Sequence, residues 1–292
     1  REIGSAAATP PDCLVVAYGQ LAPYAGAVPA RHKVLDLHNV ESALLQSYAA
    51  SAGLLTSLPA RIESRAMRRL ERRALRSFDT VSVVSEVDRE RLPGSHPRLL
   101  VCPNGWEPSP PVPMGHEPVV AFVALLGWAP NADAAIWLAD AVWPFVRQQV
   151  PGARLLLVGR EPTAAVRALA RDDVTVTGTV PEVQSYLARA RVAVAPLRAG
   201  GGSRLKILEA LDAGRPVVAT TIGAEGLEAL IGEGILTADD PRSFAETVVG
   251  LLRDRDRAAA LGRAGNAAIR AQFSWDRTLE PLLDDVAEHG GR

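Results

Sequence analysis

The chain is short of several things, and each shortage removes a class of protein. It has two cysteines, Cys13 and Cys102, whose spacing fits neither a disulfide framework nor a metal-binding pattern. A reducing cytoplasm is the expected setting. It has no excess of charge: 32 Lys and Arg face 33 Asp and Glu, for a formal net charge of -1. No bulk field draws it to nucleic acid, and none is expected as a partner. It has no apolar run long enough for a bilayer, no signal-peptide pattern, no internal repeat and no low-complexity tail. What remains is globular material, 48% hydrophobic and 22% charged over 292 residues, enough for one large or two ordinary domains.

Short apolar runs alternate with helical patterns almost throughout. The expected strands are Cys13–Tyr18, Lys33–Leu37, Thr80–Val84 and Leu99–Cys102, then Val119–Ala124, Ala153–Val158, Val174–Thr177, Val192–Pro196, Pro216–Thr220 and Gly234–Thr237. Most carry Val and Leu at successive positions instead of alternating with polar residues. Strands buried on both faces of a parallel sheet read this way. With helices between them, the pattern is a series of βα units.

One segment breaks the rhythm. Pro103–Pro113 contains five prolines and one glycine and continues neither a helix nor a central strand. It is read as an interdomain linker. Six strands follow it and four precede it, so the fold class is α/β with two Rossmann-like domains, the first incomplete. The expected division is 1–107 for a partial N-terminal domain, 108–274 for a complete second domain and 275–292 for a helix crossing back to the first. That helix, Trp275–Glu288, is expected to start after a Ser274 N-cap and to kink or divide at Pro281.

The stretch Val192–Gly214 carries the chemistry. A strand ends near Leu197, Gly200-Gly201-Gly202 follow, and a helix is expected from Ser203, its N-cap, to Gly214, its C′ residue. Glycines let backbone approach a phosphate, and a helix N-terminus favours negative charge. Arg204 and Lys206 oppose the helix dipole there by roughly 0.3–1 kcal/mol each, which an anion in the functional state would relieve. A diphosphate suits an arginine fork and a lysine point charge. Glu209, further along the helix, suits ribose hydroxyls. The blander alternative is a capped amphipathic helix with a solvated basic turn, since glycine loops are common in α/β folds.

Gly201–Thr220 resembles the donor-site signature of glycosyltransferase family 4, the retaining GT-B enzymes. Leu126–Ala134, Ile222–Leu227 and Phe273–Asp276 also resemble its second domain, and Asp36–Glu41, Val84–Glu86 and Val101–Gly105 its first. The resemblance covers nearly the whole chain. It implies transfer of a hexose-type sugar from a nucleotide diphosphate to an acceptor hydroxyl, with retention, no metal and no cofactor beyond the nucleotide-sugar co-substrate. It gives Arg204 and Lys206 to the diphosphate, Glu209 to the ribose, and the loop Thr177–Glu182, with Val180, to the base. Gly127, Asn131, Gly201 and Gly202 line the donor pocket, although Asn131 is equally suited to a helix N-cap. His38, at a strand's C-terminal edge, is placed beside the reacting sugar as the catalytic candidate; a satisfied histidine at a helix start is the alternative. Asn39 and Glu41 are weaker candidates.

Two positions depart from the family. It commonly has a glutamate eight residues before the position of Glu209, where this chain has Gly201. It often has Arg and Lys in the first loop of the second domain, where this chain has Trp128 and Ala129-Pro130-Asn131. Family members also open with a strand and glycine loop that has no counterpart before Cys13, so an exposed sheet edge and weak or absent activity are expected of this chain.

The helix expected at Arg61–Phe78 carries seven arginines opposite an apolar stripe of Ile62, Ala66, Met67, Leu70, Ala74 and Phe78. Such a helix can lie on an anionic membrane, suiting a lipid-linked acceptor at the inner face; glycan and small-molecule acceptors remain open. A core-packed helix with a solvated arginine face accounts for the same pattern, and the interspersed Glu63 and Glu71 favour it. Two further functions compete with transfer. A nucleotide-sugar epimerase on this scaffold would need more acid/base groups than His38. A non-catalytic nucleotide-sugar binder would suit Gly201 and the short first domain.

Overall fold

A computed structural model describes residues 10–51, 54–110, 112–202 and 204–290. Among the described residues the strands are β1 Cys13–Ala17, β2 His32–Leu37, β3 Thr80–Val83, β4 Leu99–Val101, β5 Val119–Val123, β6 Arg154–Val158, β7 Val174–Val176, β8 Val192–Ala195, β9 Val217–Ala219 and β10 Ile235–Thr237. Each lies on an expected run, and most are shorter by a residue or two. The helices are α1 Glu41–Ser51, α2 Leu54–Ala74, α3 Glu86–Arg91, α4 Ala129–Trp137, α5 Trp143–Gln149, α6 Ala164–Arg167, α7 Gln184–Arg189, α8 Leu205–Asp212, α9 Pro241–Arg253, α10 Arg255–Gln272 and α11 Trp275–Gly290. A π turn, Leu138–Val142, joins α4 to α5. It is followed by Trp143 and then Pro144, which has no N–H to donate and whose ring would clash with a regular preceding turn.

The contacts divide the chain into two units. The first comprises residues 1–105, 201–203 and 275–292, the second residues 106–200 and 204–274. In the first unit a parallel sheet runs β1-β2-β3-β4. β3 is buried at all four positions, whereas on β1 Val15 is 54% exposed. α11 packs here. Its Asp285 accepts a bond from Thr80 Oγ1 at 2.7 Å and lies 3.0 Å from His32 Nε2. The helix runs through Pro281 as one element and is not divided there.

In the second unit the order is β10-β9-β8-β5-β6-β7, all parallel. The first strand in sequence, β5, sits between β6 and β8, so the winding reverses there. Open α/β sheets bind ligands at the carboxyl ends of the strands flanking such a reversal. One face of the sheet packs Phe122, Leu138, Trp143 and Phe244, the other Leu156, Leu208, Leu211 and Ile269. Coverage on both sides explains why the strands read as unbroken apolar runs. Among the described residues no helix is long and apolar enough to cross a membrane.

α10 shows how local sequence fixes an element. Asp254, at its N-cap, accepts a bond from Arg257 N at 2.9 Å, and its buried stripe includes Ala258, Gly262, Asn266 and Ile269. Asp254→Ala should lower stability by about 1 kcal/mol through the lost cap. Urea unfolding measures it, and an unchanged midpoint would assign the start of α10 to packing alone.

Candidate functional site

The elements around the reversal point set the geometry. After β8, Pro196 and Leu197 lead into the glycine loop. Leu197 is 1% exposed and its carbonyl accepts the Thr220 hydroxyl, which pins the loop's start. Gly200 has φ +148°, which requires glycine at this turn, and a Cβ there would lie 3.3 Å from Arg204 Nη1. Gly202 also has a positive φ, +71°. Gly201 and Gly202 group with the first unit and Gly200 with the second.

α8 begins at Leu205, with Arg204 at the N-cap position and no side-chain cap. Ser203, the expected cap, lies outside the described residues. The helix ends as expected. Gly214 takes φ +77° and donates to Leu211 O at 2.9 Å, while Arg215 N donates to Ala210 O at 2.8 Å, the paired bonds of a Schellman ending.

The two basic residues of this turn occupy different surroundings. Arg204 is 3% exposed, and its Nη2 donates to Ile222 O at 2.8 Å and lies 3.4 Å from Glu225 Oε2. Its guanidinium is thus engaged on the β9 side, which offsets the cost of a cation beside a helix N-terminus. Lys206 reaches the other way. Its Nζ donates to Asn131 Oδ1 at 2.6 Å and stands 5.2 Å from the centre of the Phe122 ring. Burial, reinforced by the nearby Arg204 charge, pulls the Lys206 ammonium down to a pKa of about 7.

Asn131 comes from α4, after β5. It is 4% exposed, and its Nδ2 donates to Leu125 O at 2.9 Å. It is not the N-cap of α4; Trp128 holds that position, without a side-chain cap. Asn131 lies one turn inside, where its amide ties the β5–α4 loop to Lys206. Gly127, in that loop, passes so close to Glu161 that a Cβ would meet its carbonyl oxygen at 2.7 Å. Lys206 and Asn131 thus meet across the β8–β5 crevice, and Gly127 lies in the β5–α4 loop that precedes Asn131.

Glu209, three residues beyond Lys206, falls on the same helix face. Its carboxyl is held above the usual range by burial first and by the Asp212 charge second. Val180 is half-buried against the core cluster that includes Leu187 and Leu208.

His38 belongs to the first unit. Its Nε2 lies 3.1 Å from Asp36 Oδ2, and Ser82 Oγ donates to the other oxygen of Asp36 at 2.7 Å. The imidazole stacks on Tyr18, ring centres 4.8 Å apart. Tyr18 adopts φ +70°, rare for a residue with a side chain, and its N–H donates to Asp36 O at 2.9 Å. Sequence reading missed this support. The available signal was the spacing of two between Asp36 and His38 at a strand end. Cys102, also near Asp36, is pushed up to about 11, chiefly by burial, which keeps its thiol protonated.

Three further sequence readings change. The apolar stripe of the arginine-rich helix is buried only towards its end: Ile62 is 60% exposed, whereas Ala74 and Phe78 are buried. Glu71, noted only as interspersed among the arginines, is 2% exposed and accepts from Ser42 N at 3.0 Å and Ser42 Oγ at 2.5 Å at the start of α1. The linker is fastened from Trp106 onward. Ser109 bonds Asp212 through N and Oγ, Val112 O accepts from Arg215, and Met114 O from Arg255 at 3.2 Å.

Residues 117–254 match the family model described as glycosyl transferases group 1. A GDP-mannose-dependent alpha-(1-6)-phosphatidylinositol monomannoside mannosyltransferase of Mycobacterium tuberculosis is 34% identical over 188 residues, covering 59% of this chain and 48% of the relative. A GDP-mannose-dependent monoacylated alpha-(1-6)-phosphatidylinositol monomannoside mannosyltransferase of Corynebacterium glutamicum is 28% identical, covering 70% and 61%. The chain thus spans about half the length of the first of these. Among solved structures, a sucrose-phosphate synthase of Thermosynechococcus elongatus superposes with a TM-score of 0.76 at 20% identity, covering 98% of this chain and 75% of that one. Anabaena HepE in complex with UDP and glucose gives 0.68 at 16% identity, covering 94% and 77%.

Proposed function

We propose that this chain, a GT-B glycosyltransferase by fold and by the family match of its second unit, binds a nucleotide-diphosphate hexose and serves its transfer to an acceptor hydroxyl. One observation carries the reading: a half-buried lysine, Lys206, at the opening of α8, hydrogen-bonded across the reversal point of a doubly wound sheet to Asn131. A desolvated cation beside a glycine loop and a helix N-terminus is costly when the crevice is empty and well placed when a diphosphate fills it.

In the transfer, the bond from the sugar's anomeric carbon to the diphosphate oxygen breaks. A bond from that carbon to the acceptor oxygen forms, the acceptor hydroxyl passes its proton to the departing diphosphate oxygen or on to solvent, and a nucleoside diphosphate leaves. Lys206 and the N–H groups at the start of α8 meet the charge growing on the leaving group. Arg204, held by Ile222 and Glu225, braces the loop from behind. Glu209 takes the ribose hydroxyls and the loop around Val180 the base. His38, oriented by Asp36, bonds a sugar or acceptor hydroxyl through its other ring nitrogen. Retention, and a diphosphate site that works without metal, are supported by the resemblance of Gly201–Thr220 to the family 4 signature. The relatives named as GDP-mannose-dependent put GDP-mannose first among donors to try, with UDP-glucose second.

The test is calorimetry with GDP, UDP and their sugars, followed by assay of nucleoside diphosphate release and of the product anomer in the presence of acceptor. Absence of nucleotide binding would sink the reading. A pH dependence comes with it. The Lys206 pKa, about 7 in the empty site, lies below its unfolded value, and a bound diphosphate raises it again. Binding above pH 7 therefore takes up a proton. Affinity should fall by up to about tenfold per pH unit from pH 7 towards 9, and the binding heat at pH 8 should vary with buffer ionisation enthalpy. A flat affinity across that range would contradict the role of Lys206.

A further inference from the structure

We propose that Arg198 is a second cationic ligand of the donor diphosphate and that Asp133 holds it in reserve while the crevice is empty. The proposal rests on the donor reading above and extends it to a pair of residues that no sequence signal marked.

Arg198 directly follows Leu197, whose buried carbonyl is fixed by Thr220. Its guanidinium grips Asp133 in fork geometry, Nε to Oδ2 at 3.0 Å and Nη2 to Oδ1 at 2.5 Å. Asp133 lies on α4, two residues from Asn131. Two bonded pairs therefore join the β8 side to the β5 side, Lys206 with Asn131 and Arg198 with Asp133, from different faces of α4. Arg204 is different: it is buried and engaged on the β9 side. Of the two arginines in this loop, Arg198 is the one whose fork is open to solvent, its side chain being 48% exposed.

The balance of energies favours an exchange of partners. A half-exposed ion pair adds little to stability, so releasing it costs little. Asp133, 43% exposed, returns to water without stranding a charge. The same planar fork matches a phosphate as well as a carboxylate, and a diphosphate carries more charge than one carboxylate.

Calorimetry with GDP and UDP on Arg198→Ala, Asp133→Ala and the double variant tests this, with thermal melts confirming folding. Arg198→Ala should weaken binding by about tenfold or more, the scale of a charge-assisted bond. Asp133→Ala should tighten it by about threefold or more, and that gain should vanish when Arg198 is already alanine. The proposal is overturned if Arg198→Ala stays within twofold of the parent. It is equally overturned if Asp133→Ala gives the same gain in both backgrounds, since that is plain repulsion of the ligand by Asp133. Binding that depends on Lys206 but not on Arg198 would sink this proposal and leave the donor reading standing. No nucleotide binding at all would remove both.

Discussion

Lys206→Met is expected to lower affinity for a nucleoside diphosphate by about 100-fold while leaving the empty protein as stable as before, or more so. The two effects have opposite sign because they come from different states. In the empty site the ammonium donates to Asn131 and faces Phe122, yet its pKa stands at about 7. Burial first and the Arg204 charge second lower it. Methionine keeps most of the apolar stem and removes the cation, so the empty fold loses a liability. Asn131 still donates to Leu125 O. The liganded state instead loses one or two charge-assisted bonds, each worth about 1.5–3 kcal/mol. Urea unfolding without nucleotide and calorimetry with GDP or UDP measure the two sides. A destabilised variant that binds as tightly as the parent would reverse both expectations and reduce Lys206 to a packing residue. The pH dependence of affinity between 7 and 9 should flatten in this variant, which separates loss of the titrating group from a general loss of fit.

The fold was legible because its cause is local and repeated. Parallel strands buried on both faces leave runs such as Arg154-Leu-Leu-Leu-Val158 and Val192-Ala-Val-Ala195, and little else in globular sequence produces ten such runs with helices between them. Helix ends were legible where one residue decides them, as at Gly214. The start of α8 was not: Arg204 stands at the cap position, and no propensity favours arginine there. Its placement depends on Ile222 and Glu225, 18 and 21 residues away.

The parts of the site that escaped sequence reading share that property. Arg198 meets Asp133 from 65 residues away, Ser42 meets Glu71 from 29, and Ser109 meets Asp212 from 103. Each is a polar pair created by the packing of two elements, and periodicity within one element carries no trace of it. Glu71 shows the cost of judging a charge by its neighbours alone. It sits among arginines in sequence, but its own position on α2 turns inward to the start of α1. The stripe of the same helix shows the reverse: Ile62 has the spacing of a core residue and stands in solvent, whereas Ala74, in the last turn, joins the cluster of Leu35 and Val81.

Asp212→Ala should cost about 3 kcal/mol of stability, more than any other single side chain at the rim of the site. Asp212 closes α8 and is 1% exposed. Its carboxylate accepts from Ser109 N at 3.0 and 3.2 Å and from the Ser109 hydroxyl, while Arg270 stands 4.0 Å away. The arginine contributes little, since its side chain is 41% exposed and the contact is long. The loss comes from the buried bonds: truncation strands the Ser109 donors and opens a void where the strap meets the helix end. Arg270 also donates to Ser109 O at 2.5 Å, and Arg215 to Val112 O, so two anchors survive and the strap loosens without detaching. Asp212→Asn, which keeps one acceptor, should cost less than half as much. The same substitution reaches the site, because the Asp212 charge is the second cause of the raised Glu209 pKa. Without it Glu209 titrates lower, though still above its ordinary value because burial remains the larger cause. Urea unfolding of both variants, with proteolysis across residues 106–113, tests the strap. Wild-type midpoints and an unchanged cleavage rate would mean that Arg215, Arg255 and Arg270 hold the strap without Asp212.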